Sequence, residues 1–163
     1  MPAISNTYNS QFGEFSLGEG PENDFFWTGS IDATGGLFSG NIPICIFTKK
    51  SLIPPVTIEL MELIASDINQ YLEKSVVFIK QTLTAQRDRY KIKETEDDLL
   101  SLDIGHFPVD HPELIFWEDS NEWMMRFAEG KFEICDPLGI SVTYKLTDPI
   151  SVDNLEDSEY IDP

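Results

Sequence analysis

Basic side chains are scarce in this sequence. Eleven lysines and arginines face 29 aspartates and glutamates over 163 residues, a formal net charge of −18. A polyanion repels phosphates, which argues against non-specific nucleic-acid binding and equally against anionic membrane surfaces. Cysteine is nearly absent as well. Cys45 and Cys135 each sit in an apolar stretch, Pro43–Phe47 and Phe132–Cys135, and read as two reduced core thiols rather than a disulfide framework. No apolar run approaches the ~18 residues that span a bilayer. Met1–Tyr8 carries neither a basic nor an apolar leader region, so no secretory leader is expected and a reducing cytoplasm is the expected address.

Hydrophobic residues make up 41% of the chain and aromatics 12%, which sets it apart from disordered acidic chains. The length suits one domain with a substantial core. The charge is uneven. Residues 1–55 carry a net −3, residues 56–93 a net +1, and residues 94–163 a net −16 from nineteen acids and three bases. Two stretches dominate: Glu94–Asp98 with Asp103 just beyond, and the six acids from Asp148 to Asp162. The second reads as a solvated tail.

Periodicity divides the chain into three parts. In the first, Phe12–Leu17 alternates, Phe25–Ile31 is aromatic and β-branched, and Ile42–Thr48 is a more continuous apolar strand, expected to be central. In the second, apolar residues recur every three or four positions from Leu60 to Leu83, giving a helical pattern over about 58–90, with Thr57 as a possible N-cap and a break possible at Asn69 or Ser75. Arg87, Arg89, Lys91 and Lys93 complement the dipole at its C-terminal end, and 94–102 reads as a short acidic helix or ordered loop. In the third, strands are expected at 114–118, 122–128, 131–135 and 139–146, with a tight hairpin at Glu129–Gly130 and a turn at Asp136–Gly139. The expected fold is α+β: an N-terminal β-meander, a long helix or helix pair, and a C-terminal β-meander, making a mostly antiparallel sheet with helix on one face. A single domain spans 1–163, with its core at about 12–146 and flexible ends at 1–10 and 148–163.

No catalytic signature stands out. His106 and His111 with Asp103 and Asp110 form a small His/Asp group, but the spacing matches no helical ligand pair and no further histidine exists to complete a zinc site. Both cysteines read as buried, whereas reactive thiolates need electropositive, accessible surroundings. Gly35–Gly40 has phosphate-loop glycine spacing, but Asn41-Ile42 stand where Lys-Ser/Thr is needed. Neither metal nor cofactor is therefore expected. Trp27, Phe116, Trp117, Trp123 and Phe127 fall on expected strands. The Trp117–Trp123 segment sets aromatics beside carboxylates, as protein interfaces do.

The aromatic–glycine hairpin Trp27-Thr28-Gly29, the isoleucine-rich strand after it, the long helix and the Asp136-Pro137-Leu138-Gly139-Ile140 turn resemble a group of small bacterial proteins of unknown function. Some of these are immunity proteins of polymorphic-toxin or contact-dependent-inhibition systems. The resemblance covers roughly 12–146 and leaves out Glu94–Asp103 and the acidic tail. It implies a non-catalytic cytoplasmic inhibitor of a cognate toxin. The acidity fits a basic, nuclease-type partner, because opposite charge speeds encounter. The expected contacts are Glu96, Asp97, Asp98, Asp103, Glu118, Asp119 and Glu122. The alternatives are a structural or regulatory interaction module, and a small enzyme using His106 or His111.

Overall fold

The computed structural model describes residues 7–19, 24–118 and 120–155. Four strands, β1 (Thr7–Ser10), β2 (Gly13–Glu19), β3 (Phe25–Ala33) and β4 (Gly40–Thr48), precede helices α1 (Pro55–Ala65), α2 (Ile68–Ala85) and α3 (Asp97–Leu100). Four more follow: β5 (Val109–Trp117), β6 (Glu122–Gly130), β7 (Ile140–Lys145) and β8 (Asp148–Asp153). The eight form one sheet in sequence order. Every neighbouring pair is antiparallel except β4 and β5, which run parallel through Ile44–Phe47 and Leu114–Trp117. The fold is thus α+β, two meanders joined at a parallel seam. A parallel connection must cross over, and the helices supply the crossover.

Alternation explains which face the helices cover. Ile42, Ile44 and Ile46 on β4, Leu114 and Phe116 on β5, Trp123, Met125 and Phe127 on β6, and Ile140, Val142 and Tyr144 on β7 are all buried. Against them pack Leu60, Met61 and Ile64 of α1 and Tyr71, Leu72, Val76, Ile79 and Leu83 of α2. Trp123 stacks on Tyr144 with centroids 4.3 Å apart, and Tyr71 meets both rings edge-on. Within this apolar layer, the Ser75 hydroxyl donates to the Tyr71 carbonyl or pairs with the Tyr144 hydroxyl, each at 2.7 Å, so these two buried hydroxyls are satisfied.

The helical stretch is two helices, and the break falls at Ser66–Asp67, not at Asn69 or Ser75. Asp67 leaves the helical region (φ −132°, ψ 40°), and the Ser66 hydroxyl closes the α1 end on the Leu63 carbonyl at 2.9 Å. Asn69 instead clasps the β3–β4 turn through the Thr34 carbonyl at 2.7 Å. Helix α1 starts at Pro55, a favoured first position, so Thr57 is a buried helical residue and not the cap.

Several sequence boundaries need correction. Residues 7–10 form β1 rather than a loose end, and 148–153 form β8 rather than tail; residues 1–6 and 156–163 lie outside the described residues. Strand β5 begins at Val109. His111 takes φ 56°, and Val109 and Pro112, three apart, are both buried around it. No strand or Glu129–Gly130 hairpin exists at 131–135. Gly130 ends β6, and Glu133–Cys135 is a 3-10 turn, because Phe132 is buried against Phe107 and the Glu133 N–H is taken by a side chain from far away in sequence. The cis Asp136–Pro137 bond and Gly139 (φ 86°) lead into β7.

Candidate functional site

The two acidic groups do not share a face. Strand β5 separates them: Glu94–Asp103 lies before its first residue and Glu118–Glu122 after its last. Its nine residues span roughly 26 Å at about 3.3 Å each.

At the first end three of the four expected acids have partners within the chain. Glu96 is 7% exposed, and its two carboxylate oxygens accept the N–H groups of Lys93 (3.0 Å) and Glu133 (2.9 Å). It is a clamp and not a contact residue. Asp97 pairs with Arg87, and Glu133 with Lys93. Asp103 meets His106 Nδ1 at 2.7 Å, and that hydrogen bond holds the Asp103 carboxyl below its usual range. Asp98 is exposed. Helix α2 ends at Ala85, so Arg87, Arg89, Lys91 and Lys93 lie beyond its last turn. They belong to the connecting segment, where Arg87 and Lys93 tie it down by these ion pairs.

The second end is built differently. The Glu118 N–H donates to the Phe47 carbonyl at 2.9 Å, and its carboxylate accepts the Lys49 N–H. The β7–β8 turn docks on the β5–β6 turn: the Leu146 N–H donates to the Asn121 carbonyl, and Trp123 Nε1–H to the Leu146 carbonyl, both at 2.7 Å. This arrangement turns the Leu146 side chain outward, 52% exposed. Leu52, four residues past the end of β4, is 69% exposed, and Val56 at the start of α1 is 59% exposed. Glu122 and Asp148 are exposed and make no ion pair among the described residues. Asp119 lies outside the described residues. Of the seven expected contacts, then, Glu118 and Glu122 flank the β5–β6 turn on which the turn carrying exposed Leu146 docks. Sequence reasoning missed Leu52, Val56 and Leu146, because an isolated leucine or valine in a strand or helix pattern carries no mark of which way it faces.

The histidines are dispersed. His106 is bound to Asp103, and His111 Nε2 lies 3.3 Å from Glu129 on the exposed start of β5. Among the described residues, no group of three or more His, Cys, Asp or Glu side chains converges as metal ligands would. Both cysteines are free. Burial pushes each thiol up to about 12, aided at Cys45 by Glu113, so neither is a thiolate at neutral pH. Cys135 is in the core as expected, whereas Cys45 is half-buried on the sheet face opposite the helices.

That opposite face reads clearly from the register. One row crosses Gly18, Phe26, Phe47 and Trp117. The next runs Ser16, Thr28, Cys45, Ile115, Met124, Thr143, Ser151. A third contains Glu113, Arg126, Ser141 and Asp153. Phe47 and Trp117 stack with centroids 6.3 Å apart. A Cβ on Gly18 would stand 2.5 Å from the Phe26 ring, so the absence of a side chain there lets the ring lie flat on β2.

Among the described residues no helix is long and apolar enough to cross a membrane. Comparison with protein-family models, with curated proteins and with solved structures finds no match to this chain.

Proposed function

We propose that this chain is a toxin-neutralising immunity protein, acting in the cytoplasm by occlusion rather than catalysis, and that it takes a basic, nuclease-type toxin domain on the sheet end formed by the β5–β6 and β7–β8 turns. The observation that carries the reading is the contrast between the two acidic ends. Around α3, Asp97, Glu133, Asp103 and Glu96 are engaged by Arg87, Lys93, His106 and backbone N–H groups, and Asp98 stands exposed. At the turns, Glu118, Glu122 and Asp148 make no ion pair among the described residues, the Glu118 carboxylate accepting the Lys49 N–H, and Leu146 and Leu52 are exposed. Aliphatic anchors inside a charged rim are the anatomy of a protein interface: the anchors supply affinity and the rim supplies encounter rate.

The test is co-purification with the toxin-domain product of the adjacent gene. A stoichiometric complex that silences the toxin is expected, with an association rate that falls as salt rises. L146D should abolish binding. E118Q/E122Q should slow association while changing dissociation little. Absence of binding to any adjacent gene product, or binding unaffected by L146D, overturns the reading.

A further inference from the structure

Among the described residues, four that are not glycine have φ in the left-handed region: Lys91, His111, Leu146 and Leu155. The two leucines differ in what accompanies the strain. Leu155, φ 66°, is 2% exposed, so burial offsets its backbone cost. Leu146, φ 54°, is 52% exposed, and its side chain gains no such burial. It is the first residue of the two-residue loop between β7 and β8, a place where glycine, asparagine or aspartate is usual and a bulky side chain is an outlier. The loop is held in that conformation from three sides. The Leu146 N–H donates to the Asn121 carbonyl and Trp123 Nε1–H to the Leu146 carbonyl, each at 2.7 Å, and Lys74 Nζ of α2 donates to the Thr147 carbonyl at 2.9 Å. Lys74 is itself set over the Tyr71 ring, 5.5 Å from its centroid.

We propose that the β7–β8 loop is a preset knob: Lys74, Asn121 and Trp123 hold Leu146 strained and outward so that it enters a leucine-sized apolar pocket on the partner, with Lys74 as a positioning residue. This rests on the reading that the chain binds a basic toxin domain at this end of the sheet. Backbone strain persists only where the surroundings over-determine it, and it concentrates at binding and clamping sites. Here the three hydrogen bonds over-determine it, and no burial of Leu146 within the chain offsets it. A side chain fixed before encounter loses less freedom on binding, which strengthens the complex. The rim states the charge of the pocket mouth. Glu122 and Asp148 stand on either side of Lys145 in the strand register, all three exposed, two acids to one base. The matching surface is an apolar pocket with a cationic mouth. A second copy of this chain, at −18, would bring like charge against that rim.

The full chain and the toxin domain encoded by the adjacent gene test this, with stability and binding measured on the same variants. L146N puts a residue at home in the left-handed region into the loop, so Tm should rise by about 2–4 °C. The same change removes the knob, so dissociation of the toxin domain should accelerate by about tenfold or more. Stability gained while binding is lost marks a residue kept for its exposed side chain; a merely structural residue would move neither in that way. K74M keeps the apolar stem and removes the donor to Thr147. Dissociation should then quicken severalfold with association little changed, and K74R should restore it. An L146N chain no more stable than wild type, or K74M and K74R that dissociate alike, overturns the knob. Self-association of the wild type that L146N abolishes assigns the loop to a second copy and overturns it too. Wild type that binds no adjacent gene product overturns the toxin-binding reading and the knob with it, whereas wild type that binds and L146N that binds equally well overturns the knob alone.

Discussion

The buried carboxylate of Glu96 accepts the backbone N–H of Glu133 at 2.9 Å, 37 residues away, while its other oxygen holds the N–H of Lys93 at 3.0 Å. One side chain thereby ties the crossover segment to the β6–β7 connection. Hydrogen bonds to a charged acceptor are worth about 1.5–3 kcal/mol each, and their loss leaves N–H groups unmet. E96A should cost about 2–4 kcal/mol in urea unfolding, with E96Q near half of that, because an amide can accept from only one of the two donors.

Gly139 and Gly35 both adopt positive φ, 86° and 80°, and alanine should separate them. A Cβ at Gly139 would sit 2.1 Å from the Phe127 carbonyl oxygen, whereas at Gly35 it meets nothing. G35A should cost only the left-handed penalty, about 1 kcal/mol. G139A adds a backbone collision beside β6 and should cost about 3 kcal/mol or more. Thermal or urea unfolding of the two variants decides this.

Alkaline conditions should destabilise the protein. Cys45, Cys135 and Tyr144 are each pushed up to about 12 by burial, against unfolded values of about 8.5 for a thiol and about 10 for a phenol. The unfolded chain therefore releases these protons first. Their contribution is full below about pH 8 and is lost as pH rises toward 12, at up to about 1.4 kcal/mol per pH unit for each group. Unfolding free energies measured from pH 7 to 11 should fall along this curve, and C135A should flatten it.

Arg126 spans two partners on the face opposite the helices. Its Nε–H donates to the Leu138 carbonyl at 2.8 Å and its guanidinium to Glu113 at 2.6 Å. The pair is only partly shielded from water, which reduces its worth. R126A loses both bonds and should cost about 2–3 kcal/mol, and E113A about 1, since Arg126 keeps the Leu138 carbonyl. A double-mutant cycle in urea should return a coupling of about 1 kcal/mol.

The regular parts of this fold were legible in the sequence, and the tertiary bargains were not. The alternation of Ile42, Ile44 and Ile46 and the three-to-four spacing from Leu60 to Leu83 read correctly as strand and helix, because one periodicity governs each. The antiparallel meanders followed from the turn residues between strands. Phe132-Glu133-Ile134-Cys135 failed because Phe132 and Ile134 alternate like a strand, whereas the residues buried are Phe132 and Cys135, three apart around a 3-10 turn whose N–H is capped by Glu96. Asp148–Asp153 failed because an edge strand with a single buried residue, Val152, carries almost no apolar pattern. Glu96 reads as a surface acid because charge runs are usually solvated; nothing local marks the one member that turns inward.

The parallel seam has a consequence for the order of assembly. Within each meander every strand pairs with its chain neighbour, so loops are short and closure is cheap. Ile44–Phe47 and Leu114–Trp117 meet only after about sixty intervening residues have been gathered. The stacked Phe47 and Trp117 rings stand on opposite sides of that join. Neither half of the chain carries the aromatic row alone, so the row comes into being only when the two halves close on each other.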